Sequence, residues 1–279
     1  MTTTAPELFD LSGRVAIITG GAGLLGQQHA AAIAEAGGHV VIADLCAAEA
    51  EKAAAEVTRA CGVAALGVRA DITQKADVEA MVAAAKTRYG RIDILINNAA
   101  LTVKGGSQRA AEYFAPFEEY PLDLWEEALR VNLTGAFLCC QAVGKVMVAQ
   151  RSGVVLNIAS DVGNVSPDQR IYEGVKNPHT GAAFNTPIGY ATTKAGIINL
   201  TRYLATYWAD KGIRVNCLSP GGVNTGHDPV FVANVTARIP LGRMAKPDDY
   251  KGAVLFLVSD ASSYMTGANL IVDGGRTAW

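Results

Sequence analysis

Long apolar runs, an excess of charge of either sign, and cysteines in metal-binding spacing are all missing from this sequence. No apolar run approaches the roughly 18 residues of a membrane span, and the opening "MTTTAPELFD" lacks the basic end and apolar stretch of a secretory signal. A soluble cytoplasmic protein is expected. Only 18% of residues are charged, and 24 basic against 26 acidic side chains leave a net charge of -2, spread along the chain. Neither nucleic acid nor an anionic membrane has an electrostatic case as partner. Small molecules or copies of the chain itself remain. The five cysteines, Cys46, Cys61, Cys139, Cys140 and Cys217, show no metal-ligand spacing, and an odd number suits a reducing compartment. They read as small hydrophobes, and no metal site is expected. Linkers rich in Pro, Gly and Ser are also absent, as are repeats, so residues 1–279 read as a single domain with 1–10 a flexible N-terminal segment.

Half of the residues are hydrophobic, enough for a sizeable core. Seven short β-rich runs, "VAIIT", "HVVIAD", "AALGVRAD", "IDILINN", "GVVLNIAS", "GIRVNCLSP" and "ANLIVDGG", alternate with alanine-rich stretches of helical length. The strands are nearly all apolar, as burial on both faces requires. The expected fold class is α/β, a doubly wound Rossmann-type domain on a seven-stranded parallel sheet. Two stretches break the alternation: residues 101–121, and residues 161–189, an inserted loop rich in Asn, Pro, Asp and Gly. A loop of that length in a compact domain is usually functional or mobile.

The first strand runs into "TGGAGLLG", where Gly21, Gly23 and Gly26 form G-x-G-x-x-G at the mouth of a helix. Such glycines permit a tight turn and let backbone N–H groups approach a pyrophosphate at the helix N-terminus. The second strand ends in Asp44, 18 residues after Gly26, where a carboxylate can hold the adenine ribose hydroxyls and repel a 2′-phosphate. Neither the turn nor "LCA" after Asp44 offers the Arg or Lys that NADP needs. The expected cofactor is NAD.

Tyrosine precedes lysine by four residues twice, as Tyr172 with Lys176 and Tyr190 with Lys194. On a helix that spacing aims both at one site. Gly174 and the following Asn177-Pro178 argue against a helix at Tyr172. After Tyr190, by contrast, Ile197, Ile198, Leu204, Ala205 and Trp208 recur at helical spacing. An adjacent cation favours a phenolate, which makes Tyr190 the candidate acid/base.

At this point the sequence resembles the short-chain dehydrogenase/reductase family, from about Gly13 to Gly275. "TGGAGLLG" is similar to the family's cofactor turn, "RAD" with Asp71 to its adenine-contacting segment, and "NNA" at Asn97–Ala99 to its sheet-stabilising motif. "VNLTG", "NIAS", "YATTK" and "SPGGVNT" follow in order. The resemblance implies a catalytic tetrad of Asn132, Ser160, Tyr190 and Lys194: Tyr190 exchanges the proton, Ser160 hydrogen-bonds the substrate oxygen, Lys194 holds the nicotinamide ribose, and Asn132 supports a water linking Lys194 to solvent. It further implies cofactor contacts from Gly20, Gly21, Gly23, Leu24, Leu25 and Gly26 in the turn, and from Asp44, Leu45, Asp71 and Ile72 along the adenine side. Asn98, Ala99, Ala100, Tyr190, Lys194, Pro220, Gly221, Val223 and Thr225 complete that set. A homotetramer is implied as well, with the helices of "VNLTG" and "YATTK" and the last strand at its interfaces.

Two departures stand out. Leu24 occupies a position that is glycine in the family's common turn, giving T-G-x-x-G-x-x-G, the form typical of its extended nucleotide-sugar branch. Ser160 usually precedes the tyrosine by about a dozen residues, which fits Tyr172, whereas Tyr190 lies 30 residues on. Helix spacing favours Tyr190, because a loop insertion is thermodynamically cheap.

The polar insertion contains Asp168, Arg170, Tyr172, Glu173, Lys176, Asn177, His179 and Asn185. Candidate substrate contacts are Asp161, Arg170, Tyr172, His179 and His227. The expected function is NAD-dependent interconversion of a secondary alcohol and a ketone on a sugar, sugar acid or polyol-like substrate. Alternatives are a 3-oxoacyl thioester reductase, a nucleotide-sugar epimerase or dehydratase with retained NAD, and a non-catalytic NAD-binding regulator.

Overall fold

The structure is a computed structural model and describes residues 4–101, 109–176, 181 and 184–279. His179 and Asn177, named above, lie outside the described residues.

Seven parallel strands form one sheet in the order β3-β2-β1-β4-β5-β6-β7: β1 Val15–Thr19, β2 His39–Asp44, β3 Ala65–Arg69, β4 Ile94–Asn97, β5 Gly153–Ile158, β6 Ile213–Pro220 and β7 Asn269–Val272. Each of the seven runs read from the sequence contains one of them. Successive residues point to opposite faces of a strand, so Ala16 and Ile18 enter one buried cluster while Val15 and Ile17 enter the other. The first cluster is covered by α1 Leu24–Glu35, α2 Ala47–Cys61 and α9 Lys251–Val258. The second is covered by α3 Lys75–Tyr89, α6 Gly135–Gln150 and α7 Ile188–Tyr207. Burial of both faces explains why the strands are apolar throughout.

Shorter helices complete the chain: α4 Ala110–Tyr113, α5 Leu122–Ala128 and α8 Pro229–Thr236. A π-helical turn, Leu129–Thr134, joins α5 to α6. The continuous helical stretch Leu122–Gln150 is long and apolar enough to cross a membrane, although no unbroken apolar run was visible in the sequence. Within it, Cys139, Val143 and Met147 are fully buried against the sheet.

Strand order reverses at β1, which has β2 on one side and β4 on the other. Open α/β sheets bind ligands at the carboxyl ends of the strands beside such a switch point. A polar ladder braces the sheet beneath it: Asn97 donates to Asn157 (2.8 Å), which donates to Thr201 (2.9 Å). After β6, α8, α9 and β7 finish this same sheet, with the final strand in register against Cys217–Pro220.

Candidate active site

A cleft of about 1460 Å³ crosses the carboxyl ends of the strands, from Asp44 and Asp71 at one end to Tyr172, Phe184 and Phe231 at the other. Its floor is the glycine turn. Gly20 has φ +60°, and a Cβ there would lie 2.8 Å from the Ala99 Cα. A Cβ on Gly26 would lie 2.2 Å from the Gly20 carbonyl oxygen, so only glycine lets α1 start this close to the turn. Asn98 ties the turn to β4, donating from Nδ2 to the Thr19 and Gly20 carbonyls at 3.0 Å each.

Gly23 caps α1 without a side-chain hydrogen bond, which leaves the first N–H groups of the helix available to an anion. Leu24, where the family's common turn has glycine, is the first residue of α1 and half exposed to the cleft. Among the described residues Arg151 alone combines a side chain with positive φ, so Leu24 needs no glycine-like backbone. The residues of this end fit a dinucleotide. Gly20, Gly23, Leu24, Leu25, Gly26, Asp44, Leu45, Asp71, Ile72, Asn98, Ala99, Ala100, Pro220, Val223 and Thr225 all line the cleft.

Gly21 and Gly221, expected to touch cofactor, do not line it. Gly21 donates to the Ala43 carbonyl at 3.1 Å, and the Gly221 carbonyl accepts the Tyr250 hydroxyl at 2.8 Å. Both glycines are closely packed: a Cβ on Gly21 would lie 2.9 Å from the Ile18 carbonyl oxygen, and one on Gly221 2.9 Å from the Asp273 Cα. At the adenine side, the Asp44 carboxylate accepts from the Ala22 N–H at 3.1 Å. The cation opposite Asp44 on β3, Arg69, is paired with Asp77 at 2.6 Å and stands outside the cleft.

Tyr190 lies in the first turn of α7 and Lys194 one turn on, with the ammonium 5.5 Å from the centre of the Tyr190 ring. Lys194 is buried, and its Nζ donates to the Ile158 carbonyl at the end of β5 (2.8 Å). Burial lowers its pKa to about 8. Burial also raises the Tyr190 phenol above its ordinary value; the Ser160 hydroxyl opposes this and the Asp161 charge adds to it. The sequence reading has the lysine cation lower the tyrosine; burial, Ser160 and Asp161 set its direction instead. In the chain alone desolvation dominates, and the phenol is held protonated.

Asn132 sits in the π-helical turn, where its Oδ1 accepts from the Leu101 N–H (2.6 Å) and its Nδ2 donates to the Thr193 hydroxyl (3.0 Å). It thus fastens the start of α6 to α7 beside Lys194. The Ser160 hydroxyl donates to Asp161 at 2.9 Å. Asp161, read as a substrate contact, is buried, accepts also from the Val162 N–H (2.8 Å) and pairs with Arg276. It does not line the cleft.

The two tyrosines are placed differently by the structure. Tyr172 ends a 3₁₀ turn, Gln169–Tyr172, rather than sharing a helix with Lys176. Its ring stands near-parallel to Phe184 (5.7 Å between centroids) and Phe231 (5.5 Å) on the cleft wall. Burial pushes its phenol up, the Thr186 hydroxyl opposing. Arg170, another expected substrate contact, does not line the cleft: its side chain is 72% exposed and its guanidinium holds Asp168, which also receives Arg238 at 2.6 Å. Among the described residues of the loop, Asp168, Gln169 and Arg170 are taken up by hydrogen bonds within the protein. His227 does line the cleft, its ring 5.3 Å from that of Phe231. Sequence reasoning missed Phe114, Phe184, Phe231 and Arg276, which come from separate segments and carry no shared spacing.

A sequence profile described as short chain dehydrogenase matches residues 14–235. The chain belongs to that family. It is 36% identical to the D-threitol dehydrogenase of Mycolicibacterium smegmatis over 285 residues, covering 99% of each chain. It is also 36% identical to the cis-4-hydroxycyclohexanecarboxylate dehydrogenase of Sinomonas cyclohexanicum, covering 95% of this chain and 97% of that one. Among solved structures, a gluconate 5-dehydrogenase from Burkholderia cenocepacia, in complex with NADP and tartrate, superposes with a TM-score of 0.85 at 33% identity, covering 99% of this chain and all of that one. As a short-chain dehydrogenase, the protein is an oxidoreductase that acts on CH–OH groups with a nicotinamide dinucleotide.

Proposed function

We propose that the protein is an NAD-dependent dehydrogenase that oxidises a secondary alcohol in a sugar, sugar acid or polyol-like substrate. The observation that carries this reading is the placement of Tyr190 and Lys194 on one face of α7, in the same cleft that holds the glycine turn and Asp44. When bound, the dinucleotide supplies the acceptor for the hydride leaving the carbinol carbon. Tyr190 takes the hydroxyl proton, while Ser160 hydrogen-bonds the same oxygen and so fixes its lone pairs. Lys194 holds the nicotinamide ribose and, as a cation, offsets the desolvation that keeps Tyr190 protonated. Asn132 keeps α6 and α7 in register beneath the lysine.

The choice of NAD rests on Asp44, whose carboxylate repels a 2′-phosphate, and on the engagement of Arg69 with Asp77. Calorimetry is expected to give tighter binding of NADH than of NADPH, with Asp44→Ala narrowing the gap; tighter NADPH binding by the parent overturns the assignment. Dehydrogenases of threitol and gluconate among the similar proteins support a hydroxylated substrate. Reduction of NAD, followed by nicotinamide absorbance across sugars, sugar acids, polyols, hydroxyacyl thioesters and sterols, tests the reading. Activity confined to thioesters or sterols refutes the substrate class.

A homotetramer in a soluble cytoplasmic setting belongs to the same reading. Phe137 on α6 and Tyr203 and Tyr207 on α7 are exposed, and burying such rings against a second copy accounts for them. Light scattering that returns a monomer at micromolar concentration removes that part.

A further inference from the structure

We infer that the substrate presents a closed ring, with one carbon face lying against an aromatic wall at the far end of the cleft. This rests on the dehydrogenase reading above and narrows it to cyclic alcohols, such as a pyranose, a cyclitol or a hydroxylated carbocycle, over open-chain polyols.

Five rings lining the cleft form a continuous string. Phe114 meets Phe184 edge-on at 4.8 Å, Phe184 lies near-parallel to Tyr172 at 5.7 Å, Tyr172 to Phe231 at 5.5 Å, and Phe231 tilts against His227 at 5.3 Å. They come from three different parts of the chain, so the wall exists only through tertiary packing. It occupies the same cleft as Tyr190 and Lys194, away from the Asp44 end.

The wall is held before any ligand arrives. Tyr172, Phe231 and Val232 pack on a buried cluster of Ile171, Val235, Ile239 and Met244 beneath them. From α8, Asn234 donates to the Ile171 and Glu173 carbonyls (3.2 and 2.8 Å), and Arg238 reaches Asp168. On the opposite side the Asn185 N–H donates to the Phe114 carbonyl (3.2 Å). A preorganised apolar surface selects ligands that are themselves preorganised, because each rotor frozen on binding opposes affinity. A six-membered ring with equatorial hydroxyls turns axial C–H bonds toward its faces, and such a face fits the negative face of an aromatic. An extended polyol alternates hydroxyls along its length and leaves each ring against a polar group that has lost its water.

Polar groups border the wall. Lys176, Arg130 and Glu127 line the cleft with it, and these suit hydroxyl or carboxylate substituents at the rim of a ring. The chemistry is thus amphipathic: an apolar face for the rings, and equatorial polar groups for the edge.

The test compares kcat/KM for NAD reduction with cyclohexane-1,2-diol and myo-inositol against butane-2,3-diol and threitol, in the parent and in Phe184→Ala and Phe231→Ala. The parent is expected to prefer one of the cyclic alcohols by about tenfold or more, and each variant to lose about ten- to a hundredfold with that cyclic substrate while changing little with the open-chain ones. The cyclic to open-chain ratio within one variant does not depend on the fraction folded, so a variant of low stability remains informative. A parent that uses open-chain diols at least as well as both rings overturns the proposal and leaves the dehydrogenase reading standing, as do variants that lose both classes equally. Silence with every alcohol instead removes the dehydrogenase reading, and this proposal with it.

Discussion

Arg276, in the segment after β7, forms an ion pair with Asp161, whose other oxygen accepts the Ser160 hydroxyl at 2.9 Å. The two side chains are only 13% and 5% exposed. A buried pair of this kind fixes geometry more than it adds stability, and here what it fixes is the orientation of Ser160. The same carboxylate thereby sets where the Ser160 hydroxyl points before a substrate binds.

Removing Arg276 alone leaves a buried carboxylate without its partner. Arg276→Ala is therefore expected to lower stability by about 3 kcal/mol, read as a shift of the urea midpoint, and to lower kcat. Asp161→Leu combined with Arg276→Met should recover the midpoint but not kcat, because Ser160 has lost its acceptor. A single variant that matches the parent in both measurements refutes the link between the C-terminal segment and Ser160.

Replacing the phenol at Tyr190 removes the group that exchanges the proton. Tyr190→Phe is expected to lower kcat by about 10²- to 10⁴-fold. Tyr172→Phe keeps the ring on the aromatic wall and loses only the 3.4 Å contact with Thr186, so its kcat should stay within a few fold of the parent. The reverse pattern in steady-state kinetics transfers the acid/base role to Tyr172.

Oxidation requires a proton acceptor, so kcat/KM for alcohol oxidation should rise with pH, and that for ketone reduction should fall. Burial lowers Lys194 to about 8 and raises Tyr190, and with the ammonium 5.5 Å from the ring centre the profile is expected to carry both groups. Lys194→Met removes the cation that favours the phenolate. Its rising limb should move to higher pH, and an unmoved limb excludes Lys194 from the titration.

His29, buried on α1, has no hydrogen-bond partner at either ring nitrogen among the described residues. Burial lowers its pKa to about 4 from an ordinary 6.5. The unfolded chain then binds the extra proton first, so stability falls as pH drops through the window between those values. The loss from this group should reach about 2 kcal/mol at pH 5. His29→Leu should be at least as stable as the parent at pH 7, since an unsatisfied polar group leaves the core, and should abolish this part of the acid sensitivity. Urea midpoints at pH 7 and pH 5 that shift equally in parent and variant count against it.

Local chemistry was legible in the amino-acid sequence wherever one short segment carries it. Seven apolar strands separated by helices, a glycine turn closing β1, Asp44 at the end of β2, and Tyr190 four residues before Lys194 each depend on spacing within a single element. The physics is that of helical and strand periodicity and of glycine's backbone freedom, all local. What depends on contacts between distant segments was decided by the tertiary structure alone. Polar residues of the insertion read as substrate ligands, yet Asp168 and Arg170 spend their charge on each other and on Arg238, and the aromatic residues take the cleft. Asp161 meets Arg276 115 residues away, and Phe114, Phe184 and Phe231 converge from three segments. Burial set the direction in which Tyr190 and Lys194 shift, because desolvation is a property of everything packed around a group and not of the residues beside it in the chain.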